Sequence, residues 1–356
     1  MRIKYLDGLR GIAILLVLGY HAYVRWSHIM PHGDTYSEVT IFSYGWLGVQ
    51  LFFLISGLVI FMTLDKTESL KSFIYKRWFR LFPAMLIAAT LIYSTTEIFF
   101  ERPSGQPTLY SLIPALTFID SLFFSSLLGF EIVNLEGVFW SIFVEFKFYV
   151  IAGGIYYFFG KKYVPLVLAL LFVLSILLNM LSTYFDFAFF DLAYKVSLAA
   201  SLQYFGWFSA GTLFYLYFET NNNRFFLLAL GMSILSSIWV KEGFQTSDIT
   251  GALLVSALFA SSMKFSFLQS MLQHKVLQYF GFISYPLYLI HENFMVSITI
   301  KLGKVAPWLH PFLYPLVGLF ILILVAYLIA KYLEPRCREL IRFTFHKLRK
   351  NEDSIS

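Results

Sequence analysis

GLRGIAILLVLGYHAYV, residues 8–24, is an apolar run with a cation near one end and an imidazole near the other. How this run is read decides the fold class. Extended by its flanks to about 9–26, it is long enough to cross roughly 30 Å of hydrocarbon as a helix. Comparable runs recur along the chain as far as about residue 333. Of the 356 residues, 58% are hydrophobic, 20% aromatic and only 13% charged, a balance that excludes an ordinary soluble domain. No small-residue cleavage site follows the first run, so it reads as a retained first span and not as a disposable signal peptide.

Ten runs read as spans: about 9–26, 43–64, 81–100, 138–160, 163–181, 197–218, 225–241, 249–264, 276–297 and 312–333. The expected class is therefore all-α, a polytopic membrane protein with one membrane domain over 1–335 and a basic tail over 336–356. If the N-terminus is cytoplasmic, an even count returns the tail to the cytoplasm. Lys and Arg then number 19 on that side against 6 outside, the sense that the positive-inside rule requires. The expected location is a cell membrane, inner or plasma, with both termini cytoplasmic. An eleventh stretch, LYSLIPALTFIDSLFFSSLL (109–128), would invert this balance if it crossed. Its Pro114, Asp120 and serines fit a re-entrant or interfacial element, buried against protein or lining a cavity.

The net charge of +6 sits mostly in short loops beside apolar runs, where it orients a membrane protein, so no nucleic-acid partner is expected. The tail RCRELIRFTFHKLRK interleaves six basic residues with Leu340, Ile341, Phe343, Phe345 and Leu348, as a helix lying on an anionic leaflet would. The single cysteine, Cys337, excludes an intrachain disulfide and a thiol-rich metal site, and no metal is expected.

Each ionisable side chain inside a bilayer costs free energy and needs a partner or a task. Arg10 and His21 are eleven residues apart, about 16 Å of helical rise and close to a whole number of turns, so they share one helix face. By the same depth arithmetic, Glu145 in the fourth span and His291 in the ninth reach the layer of His21 in the outer half, with Glu145 roughly 10 Å below the boundary. Arg77 and Arg80, in YKRWFRLFP, lie level with Arg10 at the cytoplasmic start of the third span, with Pro83 placed to begin that helix. Taken singly, an intramembrane histidine is more often a packing residue and a juxtamembrane arginine more often a lipid anchor. Taken together, guanidinium groups at one face suit a phosphate-bearing ligand. A histidine with a carboxylate in the other half suits removal of a proton from a hydroxyl.

These residues also form a known pattern. The sequence resembles the acyltransferase-3 family of integral membrane acyltransferases. YLDGLRGIAILLVLGYH is similar to the family's opening Arg-x10-His signature, at Arg10 and His21. GWLGVQLFFLISG (45–57) resembles its glycine-bearing second span, with Gln50 where an acidic residue is frequent, and YKRWFR its Arg-x-x-Arg motif at Arg77 and Arg80. WSIFVEFKFY resembles the Trp-Ser…Val-Glu segment at Trp140, Ser141 and Glu145, with Phe146 replacing a second acid; FGFISYPLYLIHENF and YLEPRCREL resemble the late histidine segment and the closing Glu-Pro element.

The resemblance implies acetyl-CoA as co-substrate, held at its phosphates by Arg10, Arg77 and Arg80, with the pantetheine arm reaching inward. It implies transfer of an acetyl or other short acyl group from cytoplasmic acyl-CoA to a hydroxyl of an extracytoplasmic glycan or lipid-linked saccharide. His21 would be the general base, Glu145 would orient it, and His291 would complete the catalytic set. The resemblance does not extend to the hydrolase-like domain that some members append, so a separate extracytoplasmic partner is an expected alternative for final placement of the group. The competing reading from another class is a proton-coupled transporter or flippase, in which His21, Glu145 and His291 relay protons.

Overall fold

A computed structural model describes residues 3–240 and 245–353, with the side chains of the final helix described as far as residue 344. Arg2 and Lys241, both used in the charge count, and the side chains of Phe345 and Leu348 in the tail lie outside the described residues. The protein is all-helical; no strand occurs among the described residues. Among the described residues, five helical stretches are long and apolar enough to cross a membrane by themselves: Gly45–Leu64, Gly137–Phe159, Tyr163–Tyr184, Thr246–Lys264 and Leu313–Thr344.

Several other expected spans are shorter, or carry more charge, than such a helix. The first is an α-helix over Lys4–Tyr20 that passes into a π-helical turn over His21–Arg25. The third begins earlier than expected, running over Leu70–Ser94, so Pro83 sits inside it and does not start it. Residues 71–80 interleave Lys71, Lys76, Arg77 and Arg80 with Phe73, Ile74, Trp78 and Phe79, and it is the four cations that keep this part of the helix from reading as a span. Pro83 has no N–H for the carbonyl one turn back, and Pro286 leaves the same gap inside the Lys275–Val305 helix. The Tyr285 hydroxyl donates to the Leu81 carbonyl at 3.0 Å, so the two proline-interrupted stretches are tied together.

The 109–128 stretch is not one helix. It forms short helices over Leu112–Thr117 and Ser121–Leu128, separated at Phe118 by a left-handed residue. Asp120 caps the second helix by accepting the Leu122 N–H at 3.1 Å. Neither helix has the roughly 20 residues a crossing needs. Where a loop is expected over 182–196, the chain forms a helix at Ala188–Ala199 with Phe189, Leu192 and Val196 exposed.

The chain clusters into two compact units. One comprises Met1–Tyr20, Glu38–Tyr75 and Trp140–Gly281; the other comprises His21–Ser37, Lys76–Phe139 and Phe282–Ser356. In the first unit the Gly48–Leu64 and Phe205–Thr220 helices touch through their backbones. A β-carbon on Gly57 would strike the Phe208 carbonyl and one on Gly211 the Leu54 carbonyl, so only glycine permits this approach. Phe148 stacks on Phe208 at 4.0 Å beside them. At one end of this unit, Lys161 binds Asp65 at 2.5 Å and Glu219 at 2.7 Å, and the hydroxyls of Tyr156 and Tyr215 donate to Asp65 at 2.8 and 2.7 Å. Burial opposes ionisation of Asp65, but these hydrogen bonds together outweigh it and hold its carboxyl below the ordinary value.

In the second unit, the His21–Arg25 turn, the connection over 95–139 and the C-terminal part of the Lys275–Val305 helix enclose a polar core. Tyr23 anchors the turn by stacking on Phe312 at 4.9 Å while its hydroxyl donates to the Phe312 carbonyl at 2.9 Å. An ion-pair cluster lies at the edge of this unit, where Lys301 and Lys304 meet Glu101 at 2.9 and 3.3 Å. Beyond the Ile329–Leu333 π-turn the final helix, Glu334–Asp353, exposes Leu340 and Phe343 and lays Arg342 over the Phe79 ring at 5.2 Å.

Candidate active site

The second unit gathers an uncommon set of buried polar groups. His21 stands at the junction where the α-helix widens into the π-turn, a local change of pitch that re-aims side chains and is frequent at functional sites. His291 and Glu292 come from LIHENF, three successive polar residues set in an otherwise apolar stretch. The His21 and His291 rings meet edge to face, 4.8 Å apart at an interplanar angle of 86°. The Nε2 of His21 lies 3.6 Å from Oε1 of Glu292.

Both oxygens of Glu292 are held. Trp26 donates its indole N–H to Oε1 at 3.0 Å, and the backbone N–H of Val138 donates to Oε2 at 3.0 Å. Gly137 leaves room for this arrangement: a β-carbon at that position would come within 2.7 Å of the Glu292 carboxylate and displace it. His291 is completely buried, and its Nδ1–H donates to the Tyr288 carbonyl at 2.8 Å, which leaves the lone pair on Nε2. That Nε2 has no hydrogen-bond partner among the described residues. A neutral imidazole with an unused acceptor therefore sits against a second imidazole that has an anion beside it.

A second carboxyl backs the first. Glu136 is fully buried; its Oε2 accepts the backbone N–H of Asn293 at 3.1 Å, while Oε1 has no partner. Burial first, and then the charge of Glu292, push the Glu136 carboxyl well above the ordinary range, against the pull of Arg102 and the Asn293 N–H. Asn293 knits the layer together: its Nδ2 donates to the Leu135 carbonyl at 3.0 Å and its Oδ1 accepts the Ser104 N–H at 3.3 Å. Ser104 Oγ in turn accepts the Gly137 N–H at 3.0 Å, and Arg102 donates to the Leu135 carbonyl.

Of the residues expected from sequence, His21 and His291 are brought into ring contact. The carboxylate beside His21 is Glu292, which sequence reasoning missed although it neighbours His291 in the chain. Glu145 belongs to the first unit, where it accepts hydrogen bonds from Ser56 at 2.6 Å and Tyr149 at 2.5 Å. Arg10 is also in the first unit and pairs with Asp7 at 2.8 Å. Arg77 and Arg80 are one turn apart on the Leu70–Ser94 helix in the second unit, Arg77 buried and Arg80 exposed. Glu136 and Arg102 carried no apolar signal and read as loop residues. Their burial follows from the path of the connection over 95–139, which no periodicity encodes.

Helices long and apolar enough to cross a membrane thus occur together with a buried imidazole–carboxylate pair. Sequence comparison narrows the class. The chain belongs to the family described as the acyltransferase domain, whose family model matches residues 3–331. Among curated relatives it is similar to a provisionally named acetyltransferase of Acidianus two-tailed virus, 31% identical over 38% of this chain and 36% of that protein. It is also similar to a provisionally named O-acetyltransferase of Staphylococcus aureus, 27% identical over 41% of this chain and 23% of that protein. The peptidoglycan O-acetyltransferase OatA of Listeria monocytogenes is 28% identical over 41% of this chain and 23% of its own length. The match thus spans about a quarter to a third of the length of these relatives. No solved structure matches the chain.

Proposed function

We propose that this protein is an integral membrane O-acyltransferase, moving an acetyl or other short acyl group from cytoplasmic acyl-CoA to a hydroxyl of an extracytoplasmic glycan or lipid-linked saccharide. The observation that carries the chemistry is the His21–Glu292 pair, Nε2 to Oε1 at 3.6 Å, in a buried layer. Family membership supports acyl transfer, and the relative named for peptidoglycan O-acetylation supports a glycan acceptor. Ten crossings with both termini in the cytoplasm remain part of this reading, supported by the distribution of Lys and Arg. So does a location in a cell membrane, with a separate extracytoplasmic partner for final placement as a variant of the scheme.

In this mechanism His21 takes the proton from the acceptor hydroxyl as its oxygen attacks the thioester carbonyl, and Glu292 stabilises the resulting imidazolium and fixes the ring. The tetrahedral intermediate collapses, the C–S bond breaks, and the proton held by the imidazolium passes to the departing CoA thiolate. His291 packs against His21 and limits its ring orientations. Arg77 and Arg80, one helical turn apart, bind the CoA phosphates through charge-assisted hydrogen bonds. Glu145 is assigned a supporting catalytic task, which Glu145→Gln tests by its effect on kcat.

Two measurements test the reading. Purified protein should bind coenzyme A in calorimetry, and mass spectrometry of surface glycans from cells with and without the gene should reveal one missing acyl increment. Absence of CoA binding would overturn the acyl-CoA assignment. Flux that depends on a pH gradient, without CoA affinity, would instead favour a transporter.

A further inference from the structure

Beside the histidine–carboxylate layer lies a cavity of about 790 Å³ that opens to the surface of the second unit. Its wall is built by a chain reversal. The Ser121–Leu128 helix ends at Gly129, which is left-handed at φ 76°, and the chain returns along the helix with the Ile132 N–H bonded to Ser125 Oγ at 2.9 Å. This reversal presents Ser126, Phe130, Glu131 and Asn134 to the cavity, while Ser104 and Gly137 form its inner edge.

Those two inner residues join the cavity to the site. Ser104 donates its N–H to Asn293, and Gly137 packs so closely on Glu292 that a β-carbon would collide with the carboxylate. Asn134 lines the cavity, with its Oδ1 buried within the wall and without a hydrogen-bond partner among the described residues. The lining offers hydroxyls, an amide and one carboxylate, with Phe130 exposed beside them, and includes no Lys, Arg or His. Hydroxyl-rich, uncharged ligands match these groups: serine and asparagine both donate and accept, and an aromatic face covers the C–H side of a pyranose. An anionic lipid headgroup or phosphorylated sugar would meet Glu131 with no cation to offset it. The volume lies within the usual range for a small-ligand site.

We infer that this cavity is a binding subsite for an uncharged saccharide, holding the acceptor so that its hydroxyl is presented past Ser104 and Gly137 toward the His21–Glu292 layer. The inference rests on the acyltransfer reading for its direction but not for the binding itself. The two therefore fail separately.

The test uses the full chain in detergent, with chitotetraose and maltotetraose as uncharged probes in saturation-transfer NMR and calorimetry. Wild-type protein should bind at least one of them. Ser126→Trp, which narrows the cavity, and Asn134→Ala, which removes an amide from its wall, should each weaken binding about ten-fold or more, with circular dichroism and melting unchanged. Binding of neither probe by wild type, or equal binding by wild type and both variants, overturns the inference. So does a co-purified phospholipid that native mass spectrometry finds on wild type and not on Ser126→Trp. Coenzyme A binding is measured on the same samples. Saccharide binding without CoA affinity would sink the acyl-CoA reading and leave the subsite standing, whereas CoA affinity with no saccharide binding would do the reverse.

Discussion

Asp65 in one unit and Glu292 in the other are both carboxylates enclosed by helices, and their surroundings differ in kind. Asp65 meets the ammonium of Lys161 and the hydroxyls of Tyr156 and Tyr215, and Lys161 is shared with Glu219. Its charge is balanced by a cation, and its bonds join three stretches of chain, those of Asp65, of Tyr156 with Lys161, and of Tyr215. Glu292 meets an imidazole, an indole N–H and a backbone N–H, close to His291 and Glu136, which each retain one buried polar atom without a partner. A carboxylate closed by lysine fastens helices. A carboxylate facing an imidazole, which gains and loses a proton near neutral pH, keeps its charge available for chemistry. Unspent hydrogen-bonding capacity costs folding free energy, and here two such atoms, on His291 and Glu136, stand beside the imidazole–carboxylate pair.

The comparison breaks most readily at His21. The His21→Ala variant should bind coenzyme A and lose about 10²- to 10⁴-fold in kcat; full turnover would move the reactive centre elsewhere. Next, Glu292→Gln keeps the shape and removes the charge, and kcat should fall about 10²-fold with the KM for acyl-CoA little changed. Replacing Arg77 and Arg80 together by alanine should raise the KM for acyl-CoA by about ten-fold or more, leaving kcat within a few fold. An unaltered KM would detach these arginines from the donor.

The smallest expected effect on activity lies at the other pole. Lys161→Met should leave kcat unchanged and lower stability by about 1–2 kcal/mol, read as a drop in melting temperature. The pH dependence follows from the depressed carboxyl of Asp65. A group with its folded pKa below the unfolded value contributes stability that is complete above the unfolded pKa, near 4, and is lost as pH falls through the folded one. Wild type should therefore lose stability below about pH 4 more steeply than Asp65→Asn. Equal acid sensitivity would mean that the cluster is not the fastener described.

Composition was enough to read the class, because 58% hydrophobic residues leave no route to a soluble core. The Tyr163–Tyr184 and Thr246–Lys264 helices fall close to the expected bounds, since each is a single apolar run between polar ends. His21 and His291 stood out as ionisable groups in apolar surroundings, a signal independent of the fold. Glu292 was legible in principle: an apolar stretch interrupted by His-Glu-Asn holds three costly residues where one would attract notice. Depth arithmetic instead favoured Glu145, since helical periodicity places residues along one helix but does not say which helices are neighbours. Glu136, Arg102 and Asn134 were hidden for another reason. They lie in a connection, and the burial of a connection is a tertiary fact with no local pattern.

The central claim is that His21 and Glu292 act as one unit, and a double-mutant cycle on kcat tests it most directly. If the account holds, His21→Ala combined with Glu292→Gln will be no slower than His21→Ala alone, since the carboxylate works through the imidazole. Losses that multiply, each variant slowing the enzyme independently of the other, would contradict it.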